Sequence, residues 1–225
     1  MLAEAPTGSK ILRNLILTLL LGFGSVTRAA DTGSSSNFFY LKKLDETRQF
    51  VSRSSIATRD GLEDTFFGYI DAGLRWKTSA HWYLETAYRQ AWLNLPGGSR
   101  REYRPMLDLG YRTDFEEWQF INRSRLELRY FEGDAEDRIR YRNESIWNGS
   151  RGTMPGDQTP YISQEFFYDI TDSEFNENWL TLGISGSISK SLNWKLGYRL
   201  QSRKPGDDWE NRHLLVLGIS LLDFE

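Results

Sequence analysis

The chain has 225 residues, a formal net charge of −3 and no cysteine. That length suits one large all-β domain or two small ones. The charge excludes a bulk electrostatic case for nucleic acid. The missing thiols exclude a disulfide scaffold and thiolate-ligated zinc, and they suit an oxidising periplasmic route. Aromatic residues reach 14% although 26% of the chain is charged. A transmembrane β-barrel reconciles the two, because only alternate residues of its strands need be apolar.

The first thirty residues stand apart. Lys10 and Arg13 precede an apolar run, Leu15 to Gly24, and the small residues Ala29 and Ala30 follow. This is the layout of a secretory signal peptide, too short to span a bilayer as a helix. The expected division is a signal peptide over 1–30 and a barrel over 31–225.

Beyond residue 36 the dominant period is two. In 65–77, Phe66, Gly68, Ile70, Ala72, Leu74 and Trp76 oppose Phe67, Tyr69, Asp71, Gly73, Arg75 and Lys77. In 82–93, Trp82, Leu84, Tyr88 and Trp92 oppose Glu85 and Arg89, and in 103–115 Leu107 and Leu109 oppose Arg104, Asp108 and Arg112. Segment 192–201 sets Leu192, Trp194, Leu196 and Tyr198 against Lys195 and Arg199. A soluble sandwich or a lipid-carrying barrel also alternates. Two features favour the membrane: aromatics gather at strand ends, and short links such as 77–81, 115–118 and 190–193 alternate with longer ones such as 94–101 and 203–211.

Eleven segments read as strands: 38–44, 47–59, 65–77, 82–93, 102–114, 118–131, 138–147, 160–170, 178–190, 192–203 and 211–224. Single-chain bacterial barrels have even strand numbers. The expectation is therefore an antiparallel transmembrane barrel of 10–12 strands, 12 favoured, in which either residues 31–37 supply a twelfth strand or one segment, such as the short 38–44, does not span. The connection 148–159 falls where a short turn is expected. Asn122, Ser124 and Gln164 occupy apolar positions, and a β-bulge near Asn122 would restore the alternation. The last segment ends on Phe224, an aromatic close to the C-terminus of the kind read by the barrel-assembly machinery, with Glu225 after it.

The charged faces carry the chemistry. Arg123, Arg125, Glu127 and Arg129 share one parity, and Arg138, Arg140, Arg142 and Glu144 share the parity of the next strand. A cation facing mid-bilayer costs about 2–4 kcal/mol, so these side chains, with Glu165, are expected to line the lumen. One reading is an arginine-lined track for anions. The other is a salt-bridged plug, with Asp71, Glu85, Asp108, Asp114, Glu165 and Asp169 as inward partners. No catalytic arrangement stands out, since only His81 and His213 exist and neither has a nucleophile at a recognised spacing. The loop acids Asp60, Glu63 and Asp64, or Glu132, Asp134, Glu136 and Asp137, lack EF-hand spacing, so no metal or other cofactor is expected.

The succession Phe39 to Leu44, Tyr88-Arg89, Arg123 to Tyr130, Tyr161 to Phe167, Asn176 to Gly183 and Leu196 to Arg199 resembles the bacterial family called domain of unknown function 2490. The resemblance spans about 38–222 and implies an outer-membrane barrel without a settled activity; Trp179 stands where an arginine is expected. More distantly the chain resembles narrow porins for acidic oligosaccharides, whose lumens are arginine-lined. The expected function is a porin-like channel of the outer membrane for small, anionic solutes, exported through the periplasm, contacting outer-membrane lipid and the assembly machinery but no nucleic acid. The alternative is a closed structural or partner-binding barrel of the envelope.

Overall fold

A computed structural model describes residues 31–59, 64–95, 98–133, 135–150, 154 and 158–224. The signal-peptide assignment of residues 1–30 lies outside them. Eleven strands follow one another: β1 (Asp31–Lys43), β2 (Arg48–Arg59), β3 (Asp64–Lys77), β4 (Trp82–Leu95), β5 (Gly98–Phe115), β6 (Trp118–Phe131), β7 (Arg138–Gly149), β8 (Thr159–Asp169), β9 (Glu174–Ser187), β10 (Leu192–Arg203) and β11 (Glu210–Asp223). Each pairs antiparallel with the next, and β1 closes the barrel against β11.

The count is eleven, not the favoured twelve. Residues 31–37 form the first half of β1 rather than a strand of their own. The seam is parallel, from Asp31 opposite Arg212 to Lys42 opposite Asp223. A parallel ladder satisfies backbone N–H and C=O groups as an antiparallel one does, so closure does not demand an even number.

The links 78–81, 116–117 and 188–191 share one rim, together with 44–47 and 150–158. The other rim carries the ends of β2, β4, β6, β8 and β10. The alternation in link length is weaker than the sequence suggests, because strands extend into segments that read as polar loops. β5 begins at Gly98 and β9 at Glu174, so 170–173 is no longer than 78–81. The longest connection, 150–158, lies at the first rim, where the sequence predicts a short turn. At that rim the first turn is closed by Asp45, whose Oδ1 accepts from the backbone N–H groups of Thr47 (2.9 Å) and Arg48 (2.7 Å).

Burial is inverted relative to a soluble sheet. Leu74, Leu84, Leu107 and Leu196 are exposed, and Leu128 and Leu182 are half-buried. So are the outward faces of neighbouring strands, with Ile70 at 52% and Leu215 at 51% exposure. The side chains removed from water are instead mostly polar or charged. Outward aromatics ring both rims, Trp82 against Tyr111 (4.8 Å) and Phe120 against Trp147 (5.3 Å) at the first, Trp92, Tyr130 and Tyr168 towards the second.

Candidate functional site

The lumen is built by alternation alone. Once the outward positions of β6 are Leu126 and Leu128, the inward ones are Arg123, Arg125, Glu127 and Arg129. In β7 they are Arg138, Arg140, Arg142 and Glu144, and β8 adds Glu165. All nine expected lumen residues therefore face the interior. The register places Glu127 opposite Arg140 and Arg123 opposite Glu144, but also Arg125 opposite Arg142 and Arg129 opposite Arg138.

The like-charged pairs are resolved sideways. Arg125 turns to β5 and grips Asp108 with two bonds (2.6 and 2.7 Å), and Arg129 reaches Glu102 at 2.5 Å. Arg142 turns to Glu165 on β8, which accepts from its Nε, and Arg138 to Asp169 (3.3 Å) and Asp172 (2.5 Å). Between them Arg140 donates twice to Glu127 (2.8 and 2.6 Å) and Arg123 once to Glu144 (2.6 Å). Forked guanidinium–carboxylate contacts of this kind are both strong and directional.

The network extends beyond the residues the charge pattern isolates. Arg53 on β2 donates to Asp71 (3.1 Å) and to Glu85, while Arg89 donates twice to Asp71 and Arg75 to Glu85. Glu102 is shared by Arg104 and Arg129. Arg53 lies between serines in the middle of β2, whose other arginines are at its two ends, and Glu177 sits next to a bulge, so neither carries a run of like parity that would announce it. Of the expected inward acids, Asp114 makes no pair with arginine among the described residues; it lies exposed at the rim and accepts from Gln119 at 2.6 Å. Trp179 faces inward too, its ring against Phe167 at 4.8 Å and under Arg199 at 4.4 Å.

Side chains lining a water-filled pore stay wet. Here Arg125 retains 1% of its surface, and Glu85, Glu102, Glu127 and Asp169 retain none. At this level the lumen is filled. The β11–β1–β2 wall closes the remaining side with Leu214, Val216, Leu41 and Val51, all buried. Towards the second rim the barrel opens into a cavity of about 310 Å³. Arg100, Arg129, Arg138, Arg140, Arg203 and Lys204 line it alongside Glu136 and Glu177.

Among the described residues no group of three or more acids or histidines gathers to hold a metal; Asp60, Glu63 and Asp134, named among the loop acids, lie outside those residues. His81 is exposed in a turn, its Nδ1 3.0 Å from the carbonyl of Arg112, and His213 contacts Tyr198.

The fold and its contents define an up-and-down β-barrel, apolar outside and filled by ion pairs within. The chain belongs to the family described as protein of unknown function (DUF2490), which it matches over residues 36–212. No curated protein and no solved structure matches it.

Proposed function

We propose that this protein is a closed barrel of the Gram-negative outer membrane, a structural or partner-binding element of the envelope rather than a conduit. It is exported through the periplasm on residues 1–30 as a signal peptide, inserted by the barrel-assembly machinery, and held by lipid around its leucine-rich wall. The observation that carries the reading is the arginine–carboxylate network spanning β2 to β10 with its central side chains inaccessible to water. A permeation path would have to break several buried ion pairs, each costly to break. The apolar, aromatic-rimmed exterior supports the lipid environment. The role is non-catalytic in this reading, since neither histidine adjoins a nucleophile in the lumen.

A second reading, a porin-like channel for small anionic solutes, is favoured by the cavity at the second rim and its six cationic side chains. Planar-bilayer recording of the purified protein separates the two. The closed-barrel reading expects no conductance steps; steps with anion preference would replace it with the channel reading.

A further inference from the structure

The polar residues on the apolar parity of β6–β8 are not relieved by a bulge near Asn122. Pairing of β5 with β6 runs without a shift from Met106 opposite Glu127 to Phe115 opposite Trp118, and β6 with β7 likewise from Trp118 to Arg129. The register shifts lie elsewhere, at Ala57/Thr58 and Phe167/Tyr168. Asn122, Ser124, Tyr141, Asn143, Ser145 and Gln164 therefore face outward, on the same side as Leu126 and Leu128.

These six form one cluster. Asn122 donates to Asn143 Oδ1 (3.1 Å) and Ser145 Oγ (2.9 Å); Asn143 donates back to Asn122 Oδ1 (3.2 Å) and to Ser124 Oγ (2.9 Å). Ser124 also meets the Tyr141 hydroxyl at 3.0 Å. Ser145 is registered opposite Gln164, the central residue of β8 and exposed. The Gln164 carboxamide has no hydrogen-bond partner among the described residues. The cluster is bounded by Tyr111 on β5 and Leu180 on β9, and by the Phe120–Trp147 pair towards the first rim. It lies halfway along the strands, where hydrocarbon offers a carboxamide neither donor nor acceptor.

We infer that this face is covered in the membrane by a second copy of the same chain, an inference that rests on the membrane-barrel reading above. The patch carries no charge; Asn122 and Asn143 spend their N–H groups within the barrel, and Gln164 presents both a donor and an acceptor, so it is complementary to itself across a two-fold axis. A two-fold axis along the membrane normal keeps every residue at its own depth and brings mid-span carboxamides onto mid-span carboxamides. Polar side chains serve as this kind of glue between membrane-spanning elements. A partner with a charged surface would find no counter-charge here, and lipid chains would leave Gln164 unsatisfied.

The chain contains no cysteine, so one introduced thiol reports cleanly. The full-length protein would carry Leu180→Cys, registered beside an intact Gln164, or, on the far wall, Ile56→Cys, and be oxidised in isolated outer membranes with copper–phenanthroline. The inference expects disulfide-linked dimer in most of the Leu180→Cys protein and background in Ile56→Cys. Adding Gln164→Leu to the Leu180→Cys chain should lower the dimer at least tenfold while the barrel keeps its heat-modifiable gel mobility. Equal crosslinking at both positions, or membrane-embedded monomer with none, overturns the dimer alone. A crosslink only to a protein of another mass overturns the second copy as occupant. Recovery of the chain in the soluble fraction overturns both the dimer and the reading beneath it.

Discussion

Replacing Glu127 with glutamine tests whether the lumen is a solid network. Glu127 is fully inaccessible and faces four guanidinium groups: Arg140 at 2.6 Å, Arg142 at 3.6 Å, and Arg104 and Arg125 at 3.8 Å. Two unit charges about 4 Å apart attract by ~4 kcal/mol at an effective dielectric near 20. Four such attractions are not all lost, because three of the arginines keep another carboxylate: Arg104 has Glu102, Arg125 has Asp108 and Arg142 has Glu165. Arg140 is left with Glu177 at 3.9 Å. The expected penalty is that of one broken buried pair, about 3–5 kcal/mol. Urea unfolding in lipid vesicles, followed by tryptophan emission, measures it. Glu127→Gln combined with Arg140→Met removes the stranded cation as well and should recover more than half of the loss, since double replacement of a buried pair is often near neutral. A Glu127→Gln barrel within about 1 kcal/mol of the parent would refute the reasoning, because it would mean that water already solvates that carboxylate.

Two further outcomes are expected. Gly73 faces inward where an added Cβ would lie 2.2 Å from the carbonyl oxygen of Thr86 and 2.8 Å from Ala87 Cα, whereas at outward Gly68 the nearest atom would be 3.7 Å away; Gly73→Ala should therefore cost about 1–3 kcal/mol or more in the same unfolding assay and Gly68→Ala almost nothing. Arg48, which donates to Asp45 at 2.6 Å, holds the Asp45 carboxyl below its ordinary value, with the Thr47 and Arg48 amides adding to the effect. A depressed carboxylate contributes stability that is present above its unfolded value, near 3.9, and is lost as pH falls through its folded one. The protection factors of the Thr47 and Arg48 amides, the intrinsic exchange rate at each pH divided by the observed one, should accordingly fall only below about pH 4, and a fall between pH 5 and 7 would contradict the assignment.

Alternation made most of this barrel legible, and it did so where both faces were strongly marked. Segments 65–77 and 82–93 oppose leucine and tryptophan to arginine and glutamate, and the strands they become, β3 and β4, differ from them by at most two residues at an end. Eleven strands were legible as eleven segments and were displaced by the expectation of an even number, because how the first and last strands meet, here along a parallel seam, leaves no mark on the period of either. The ends of β5 and β9 were also hidden: Gly98 to Arg101 and, apart from Phe175, Glu174 to Glu177 lack apolar residues, yet they pair as strands. The arginine-rich faces of β6 and β7 were visible as lumen, but the choice between an arginine track and a salt-bridged plug stayed open. That outcome depends on carboxylates from β5 and β8 at matching heights, a property of four-strand register rather than of any one segment. At Asn122 the pattern was read correctly and explained wrongly, since a bulge is the local remedy for a polar residue on an apolar face and the remedy here is lateral.

Those outward amides and the inward charges fix one register between them. Shifting β7 by two residues against β6 leaves every side chain on its own face, so burial alone cannot oppose the slip. In one direction Arg123 would come opposite Arg142 and Arg125 opposite Arg140, so the two facing ion pairs of the native register, Arg123–Glu144 and Glu127–Arg140, would fall to one, Glu127–Arg138, with two Arg–Arg pairs remaining. The lumen rejects that slip. In the other direction Arg125 would come opposite Glu144 and Glu127 opposite Arg142, and the lumen would accept the change. The outer face does not accept it, since Asn122 would then oppose Trp147 and Leu126 would oppose Asn143, breaking the reciprocal carboxamide pair. Each face forbids the slip that the other permits. The polar residues on the outward face therefore have a structural use within one barrel, and Asn122→Leu with Asn143→Leu should loosen the β6–β7 register.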